Sequence, residues 1–203
     1  MSTEQSKVHI VDDDDAVRKS LNMLFQSVGV DTSLYESGDD FLAQLDESSE
    51  GCILLDIRMP GTSGLEVQKQ LHERGNRMPI IFITGHGDVP MAVEAMQLGA
   101  FDFVQKPFRD QDLMDRVSQA LSQCEEQREE NEQRKTIQQR YESLTPREKE
   151  VMSCVVKGQA NKVIALDRNV SQRTVEIHRA RVMEKMEARS LADLVRMSIQ
   201  IGR

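Results

Sequence analysis

A short apolar run in the first half of the chain restricts its possible folds more than any other feature. The run covers residues 51–56, mostly Cys, Ile and Leu, and a Pro-Gly pair at 60–61 stops it. A run of this length without polar alternation is typical of a strand that is buried on both faces of a parallel sheet. Asp56 then ends the strand, at the edge where open α/β sheets bind ligands. Taken alone, Asp56 is equally consistent with capping the next loop.

Strand patterns alternate with helix patterns on both sides of this run. The expected strands are residues 7–11, 31–35, 51–56, 78–84 and 101–105, and each is followed by a helical pattern. Five strand-helix repeats predict an α/β fold, a flavodoxin-like doubly wound sheet with five parallel strands. In such a sheet the carboxyl ends of the strands lie side by side.

Polar side chains stand at four of the five strand ends. They are Asp12, Asp13, Asp56, Thr84 and Lys106. Three clustered carboxylates repel one another unless a cation lies among them, and an all-oxygen site of this kind suits Mg²⁺. Asp56, the central carboxylate, is then placed to act as a nucleophile toward a phosphoryl group. Lys106 would neutralise the phosphoryl oxygens, and Thr84 would donate a hydrogen bond to one of them.

With these strand ends, residues 7 to about 120 resemble the receiver domain of two-component response regulators. The resemblance implies that Asp56 accepts a phosphoryl group from a histidine of a sensor kinase. It also implies that Asp12 and Asp13 bind Mg²⁺ together with Asp56 and the main-chain carbonyl of Arg58.

The same resemblance implies a conformational switch made of Thr84 and an aromatic residue three positions before Lys106. That residue is Phe103, where many relatives have Tyr. Because Phe carries no hydroxyl group, a switch at Phe103 would act through packing. The surface of the helix that begins near Val89, together with the fifth strand, is the face on which the family dimerises.

The charges of the chain divide at about residue 142. Residues 1–142 contain 14 Lys+Arg and 27 Asp+Glu, a net charge of -13, whereas residues 143–203 contain 12 and 7, a net charge of +5. An acidic section joined to a basic section predicts two domains with different partners. Nucleic acid is the first candidate for the partner of the basic section.

The stretch between the two sections consists of good helix formers and has almost no apolar stripe. It predicts a helical linker over residues 123–142 that is polar all round and has nothing to bury, between a first domain at 1–122 and a second at 143–203. Ile137 and Tyr141 are too few to form a coiled-coil seam.

The basic section predicts a helix-turn-helix arrangement. A capping box at Thr145-Pro146-Arg147-Glu148 starts one helix, residues 161–166 form a short second helix, and Ser171 caps a third that would enter a major groove. With Val170-Ser171, Thr174-Val175, His178 and Lys185-Met186, this section resembles the LuxR-type or NarL-type DNA-binding module. Together with the receiver, residues 174–180 look most like the FixJ subgroup. The resemblance implies a four-helix domain whose last helix, about 190–201, assists dimerisation.

The residues expected to contact DNA lie on the third helix and at the start of the second. They are Lys162, Arg173, Thr174, Glu176, Ile177, Arg179, Ala180 and Arg181. Arginine and lysine contacts to phosphate give affinity and little sequence information. Glu176 has two interpretations: it accepts from a base donor such as the cytosine amino group, or it pairs with Arg173 or Arg179 on the helix surface.

These patterns predict a transcriptional regulator that is not an enzyme. Phosphorylation of Asp56 would promote a homodimer that binds double-stranded promoter DNA, with RNA polymerase as a further partner. A phosphatase or phosphotransferase is the alternative, but such enzymes generally need a second aspartate where Arg58 stands. A third interpretation is a DNA-binding protein that is indifferent to phosphate.

Cysteine usage and hydropathy predict a cytoplasmic protein without a membrane partner. Cys52, Cys124 and Cys154 are odd in number and far apart, and no C-x-x-C pair occurs, so neither a disulfide framework nor a zinc site is indicated. No apolar run approaches the roughly 20 residues that a bilayer requires.

Overall fold

The computed structural model describes residues 7–46, 49–85 and 89–203. The chain divides into two compact units, Met1–Gln127 and Arg128–Arg203. Each unit has its own hydrophobic clusters, two in the first unit and one in the second. Each unit therefore has its own packed core.

The first unit contains a parallel sheet of five strands. The strands are β1 (Lys7–Val11), β2 (Thr32–Tyr35), β3 (Gly51–Asp56), β4 (Ile80–Thr84) and β5 (Asp102–Gln105). Their order in the sheet is β2-β1-β3-β4-β5, and every neighbouring pair is parallel. Every residue of β3 and β4 is buried, as their unbroken apolar sequences predict. The predicted flavodoxin-like sheet is confirmed.

Helices cover both faces of this sheet. They are α1 (Asp15–Ser27), α2 (Gly38–Gln44), α3 (Gly64–Glu73), α4 (Val89–Gln97) and α5 (Asp110–Glu142). Side chains of α2, α3 and α4 pack in the cluster on one face, and side chains of α1 and α5 pack in the cluster on the other. The side chains of Asp14, Ser37 and Ser63 accept main-chain N–H groups at the first turns of α1, α2 and α3.

Helix α5 runs through the predicted linker and across the division between the units. The helix has 33 residues, and the two units meet between Gln127 and Arg128. The expectation that the linker buries nothing is wrong, because Ile137 is buried in the core of the second unit and Tyr141 packs against that core. Among the residues that the structure describes, every helix is too short or too polar to span a lipid bilayer.

The second unit contains four helices after the end of α5. They are α6 (Pro146–Val156), α7 (Asn161–Asp167), α8 (Gln172–Lys185) and α9 (Leu191–Gln200). Apolar side chains from all four helices form one cluster. The turn between α7 and α8 contains Asn169 with a φ of 51°, a left-handed conformation that Asn tolerates better than most residues. The helix-turn-helix pair is α7 and α8.

Glu148 connects α6 to α8 through its carboxylate, which is only 2% exposed. Its Oε2 atom accepts from the Lys185 Nζ atom at 2.7 Å and from the Thr145 main-chain N–H at 2.8 Å. The hydrogen bond from Lys185, together with those from Thr145, lowers the pKa of Glu148 from 4.5 to about 2. This carboxylate therefore completes the capping box and ties the first helix of the domain to the third.

Replacing Glu148 by Gln should destabilise the second unit by about 1 to 3 kcal/mol at pH 7, because the partly buried Lys185 loses its counter-charge. The folded-state pKa lies below the unfolded value, so this contribution is fully present above pH 4.5 and disappears as the pH falls toward 2. Amide hydrogen exchange in residues 146–156 measures the loss. Glu150→Gln is the matched control, because it removes a partly exposed carboxylate whose pairs with Arg147 and Arg168 are screened by solvent. An equal loss in both variants would contradict the assignment.

Gly64 allows the start of α3 to approach the end of β3. A Cβ atom at this position would lie 2.3 Å from the Asp56 main-chain oxygen, and the Gly64 N–H donates to the Ile57 carbonyl at 3.0 Å. Since real Cβ atoms do not come that close, a side chain at residue 64 has to displace either the helix or the strand end that carries Asp56.

Gly64→Ala should therefore destabilise the first unit by about 1 to 3 kcal/mol. Gly85→Ala is the control, because a Cβ atom there would meet nothing within 4 Å among the described residues and the φ angle is outside the left-handed region. Hydrogen exchange of the β3 amides in the full chain, measured at increasing urea concentration, gives the stability of the first unit in each variant. Equal stability of the variants would show that the close approach at Gly64 relaxes without cost.

Candidate functional site

Three carboxylates converge at the carboxyl edge of the sheet. Asp12 and Asp13 directly follow β1, and Asp56 is the last residue of β3, which pairs with β1. One carboxylate oxygen from each lies within 4.8 Å of the others. Asp12 is only 2% and Asp56 9% exposed, whereas Asp13 faces solvent. Residues separated by more than 40 positions thus form one acidic cluster.

Lys106 reaches this cluster from the end of β5, which β4 separates from β3. Its Nζ atom donates to Oδ2 of Asp12 and to Oδ2 of Asp56, both at 2.8 Å. Its main-chain N–H donates to the Thr84 carbonyl at the end of β4, at 2.7 Å. The three carboxylates, when ionised, exceed this one ammonium in charge, so the cluster retains a net negative charge.

Burial and charge act in opposite directions on these groups. The pKa of Asp12 is raised, chiefly because the carboxyl group is buried, and the charge of Asp56 raises it further. Hydrogen bonds from Lys106 and from the Asp14 N–H lower this pKa, but not enough to cancel the rise. For Lys106, burial lowers the pKa, but the hydrogen bonds to Asp12 and Asp56 outweigh this and the pKa is raised. Lys106 is therefore a cation at neutral pH.

Main-chain groups fix the orientation of the two buried carboxylates. The Arg58 N–H donates to Oδ1 of Asp56 at 2.9 Å, and the Asp14 N–H donates to Oδ1 of Asp12 at 2.9 Å. Each carboxylate thus has one oxygen held by the following loop and the other by Lys106. The bond at Arg58 also keeps the main chain of that residue beside Asp56. Asp56 therefore caps the loop that follows β3, through the Arg58 N–H, and also belongs to the acidic cluster.

Arg18 supports the acidic loop and does not appear among the predicted site residues. Its Nη1 atom donates to the Asp12 main-chain oxygen at 2.6 Å, and its Nη2 atom lies 3.3 Å from Oδ1 of Asp15. The side chain is only 12% exposed. An arginine three residues after an aspartate on the first helix is the signal available in the sequence, but it indicates an ordinary surface pair.

The two predicted switch residues lie on neighbouring strands. Thr84 is 1% exposed, and its hydroxyl donates to the Gly85 carbonyl at 3.5 Å. Phe103 is half-buried in β5, opposite Phe82 of β4, and packs against the cluster on the α2-α3-α4 face. Thr84 therefore ends β4 at the acidic edge, whereas Phe103 lies two residues before the end of β5.

One face of α8 is exposed, and the opposite face packs into the core through Val175 and Val182. The exposed residues at helical spacing are Arg173, Glu176, Ile177, Ala180 and Arg181. Lys162 on α7 is exposed as well, and Thr174 is half-buried, with its N–H donating to Oγ of Ser171 at 3.0 Å. The structure thus presents most of the predicted DNA contacts on one surface.

Among the residues that the structure describes, Glu176 is hydrogen-bonded to Gln172 and not to the arginines Arg173 or Arg179 that the sequence offers as partners. Its Oε1 atom accepts from Nε2 of Gln172 at 3.1 Å. Arg179, half-buried, instead donates from Nη1 to Oδ1 of Asn161 on α7, at 3.1 Å. In the described part of the chain, Glu176 is thus bonded to a neutral side chain of its own helix and Arg179 to a side chain of α7.

Comparison with known proteins agrees with this two-part architecture. Residues 8–118 match the response regulator receiver domain, and residues 142–198 match the bacterial regulatory proteins of the luxR family. The transcriptional regulatory protein FixJ of Azorhizobium caulinodans is 48% identical over 199 residues, which cover 98% of this chain and 94% of the relative. The response regulator protein TodT of Pseudomonas putida is 43% identical, with 98% and 87% covered.

Solved structures extend the similarity to three dimensions over nearly the whole chain. The response regulator StyR has a TM-score of 0.88 and 40% identity, with 97% of this chain and 99% of that one covered. Full-length FixJ from B. japonicum has a TM-score of 0.62 and 42% identity, with 98% of both chains covered. The chain therefore belongs to the two-component response regulators, and it is a DNA-binding transcriptional regulator with a receiver domain followed by a LuxR-type helix-turn-helix domain.

Proposed function

We propose that Asp56 accepts a phosphoryl group from a histidine of a sensor kinase and that this promotes receiver dimerisation and promoter binding. The observation that carries the proposal is the position of Asp56, a nearly buried carboxylate in an acidic cluster with an ammonium 2.8 Å away. A carboxylate there forms a bond to phosphorus as the bond from phosphorus to the donor imidazole nitrogen breaks, and the imidazole leaves with that electron pair.

Residues around Asp56 account for the rest of the transfer. The Arg58 N–H holds the carboxylate in one rotational position, so the nucleophile is oriented before the donor arrives. Lys106 neutralises charge on the phosphoryl oxygens and Thr84 donates to one of them. Both already lie at this edge, joined by the main-chain bond from Lys106 to Thr84.

The donor set at this edge fits Mg²⁺. Carboxylate oxygens of Asp12, Asp13 and Asp56 lie within 4.8 Å of one another, and hard oxygen ligands are those that Mg²⁺ prefers. These three side chains and the main-chain carbonyl of Arg58 would hold the ion. When bound, Mg²⁺ offsets the repulsion among the carboxylates and the negative charge of the phosphoryl group.

The response to phosphorylation would pass through Thr84 and Phe103. A phosphoryl group adds about 1.5 to 2 negative charges, which favours an inward pull on the hydroxyl of Thr84 and the ammonium of Lys106. Phe103 has no polar atom and lies against the core, so its part in the switch is repacking. Val93 and Met96 on α4 and Leu98 directly after it are exposed apolar residues, and they support the surface of α4 and β5 as the dimer face.

In the second unit, α8 would enter the major groove and a dimer would present two such helices to half-sites about one DNA turn apart. The exposed basic residues Lys162, Arg173 and Arg181 support phosphate contacts, and Arg179 is held near them by Asn161. RNA polymerase is the further partner proposed for the promoter-bound regulator.

Asp56→Asn should abolish dimerisation that depends on acetyl phosphate and Mg²⁺, because an amide is no nucleophile toward phosphorus. Light scattering on the full chain, with and without the phosphodonor, measures the association. Asp31→Asn is the matched control, since Asp31 is an exposed aspartate directly before β2, at the opposite edge of the sheet from the acidic cluster. An Asp56→Asn protein that still dimerised on addition of acetyl phosphate would refute the assignment.

Arg181→Ala should weaken DNA binding about equally for all sequences and reduce the salt slope of log K by about 1, as the loss of one phosphate contact does. Fluorescence anisotropy with several duplexes between 50 and 200 mM salt, the range over which such contacts lose most affinity, gives the slope. Arg147→Ala removes an arginine of α6 that is already paired with Glu150 and should leave the slope unchanged. A loss confined to one DNA sequence would instead assign Arg181 to base readout.

A further inference from the structure

We infer that Glu176 and Ile177 read a C·G pair and a T·A pair within each DNA half-site, Glu176 through the cytosine amino group and Ile177 through the thymine methyl group. The inference deepens the proposed DNA-binding function of α8 and rests on it. What carries it is the juxtaposition, on the exposed face of α8, of an oriented carboxylate and an apolar side chain.

The first half of α8 is the part that fits a groove. Arg173, Glu176, Ile177 and Ala180 follow one another at helical spacing on the exposed face. Glu184 lies on the same face one turn beyond Ala180 and is also exposed. The N-terminal end of α8 carries the exposed Arg173 and the positive end of the helix dipole, both of which attract the phosphates that border the groove. The helix therefore inserts by its first turns, which contain Glu176 and Ile177.

Glu176 is held ready to accept a hydrogen bond. The 3.1 Å bond from Gln172 engages its Oε1 atom and limits the rotation of the side chain. An ionised carboxylate accepts at both oxygens and at about four lone-pair positions, so this one bond leaves Oε2 able to accept from a base. Arg179, one of the two arginines within reach of Glu176, donates to Asn161 instead.

The base edges in the major groove then select cytosine. Guanine and thymine present acceptor oxygens, which repel a carboxylate, and guanine adds the acceptor N7. Adenine offers its N6 amino group but places the acceptor N7 beside it, an arrangement that suits the amide of Asn or Gln. Cytosine offers the N4 amino group, which is the donor that Glu and Asp side chains accept from.

Ile177 supplies a contact of another kind. Its side chain is 48% exposed although it is purely apolar, and it lies next to Glu176 on the same face. In the major groove the apolar feature that distinguishes the bases is the C5-methyl group of thymine. Ala180, three residues further on, is small and lets the backbone of α8 approach the base pairs.

The first test selects duplexes from a random library with the full chain, acetyl phosphate and Mg²⁺. The wild type should prefer C·G at one position of each half-site by roughly 5- to 150-fold over the other pairs. In Glu176→Gln the amide donates and accepts, so the preference at this position alone should move toward A·T. Glu184→Gln, with the same change of charge on the same helix, should bind slightly tighter to every duplex and keep the C·G preference.

The second test removes one methyl group from the DNA. Replacing the selected thymine by uracil should weaken binding of the wild type several-fold and leave the affinity of Ile177→Ala unchanged. Thermal unfolding of each variant confirms that these exposed substitutions leave the domain folded.

The two levels of the proposal fail in different ways. If Glu176→Gln changes the affinity for all duplexes equally, or leaves the base preference as it was, the readout by Glu176 is overturned and DNA binding by α8 stands. The same holds for Ile177 if the uracil substitution affects wild type and Ile177→Ala alike. A wild type that selects no sequence and binds no duplex would overturn the proposed DNA-binding function itself.

Discussion

The ammonium of Lys106 between two nearly buried carboxylates is the interaction on which the receiver site depends. Asp12 and Asp56 follow β1 and β3, whereas Lys106 follows β5, so its side chain has to pass the end of β4. Parallel strands are about 4.8 Å apart, so β5 lies about two such spacings from β3. Lys106 covers that distance because its main-chain N–H is bonded to the Thr84 carbonyl at the end of β4 and its side chain is long and flexible. The register of the sheet decides whether these charges meet, because a shift of one residue turns each side chain to the opposite face.

Much of the fold and of this edge follows from the sequence. Buried parallel strands are unbroken apolar runs, so β3 and β4 were predictable, and with them the convergence of Asp56 and Thr84. The contacts of Arg18 and Gly64 were not predictable. Arg18 acts through a main-chain oxygen, and Gly64 is required only because α3 starts against the end of β3. Both depend on distances between elements that a linear pattern does not contain.

The linker and the DNA-binding face show the same limit. Ile137 stands in a polar sequence without an apolar stripe, and its burial needs a surface that the later helices supply. For Glu176, spacing allowed partners three residues away on either side, yet Gln172, four residues away, is the one that donates. Side chains three and four residues apart on a helix are all within reach, so the choice depends on where each arginine is drawn by the rest of the fold.

Two units with separate cores also constrain the proposed control of DNA binding by phosphorylation. A single helix-turn-helix unit reads few bases, and its contacts to phosphate are shared by every sequence, so one half-site binds weakly and with little selectivity. In the proposed mechanism, joining two units through their receivers would make the second half-site encounter intramolecular, at an effective concentration of about millimolar, and the selectivities of the two half-sites would multiply. Phosphorylation would then need to change only the association of receivers, while the base contacts proposed for α8 would stay the same.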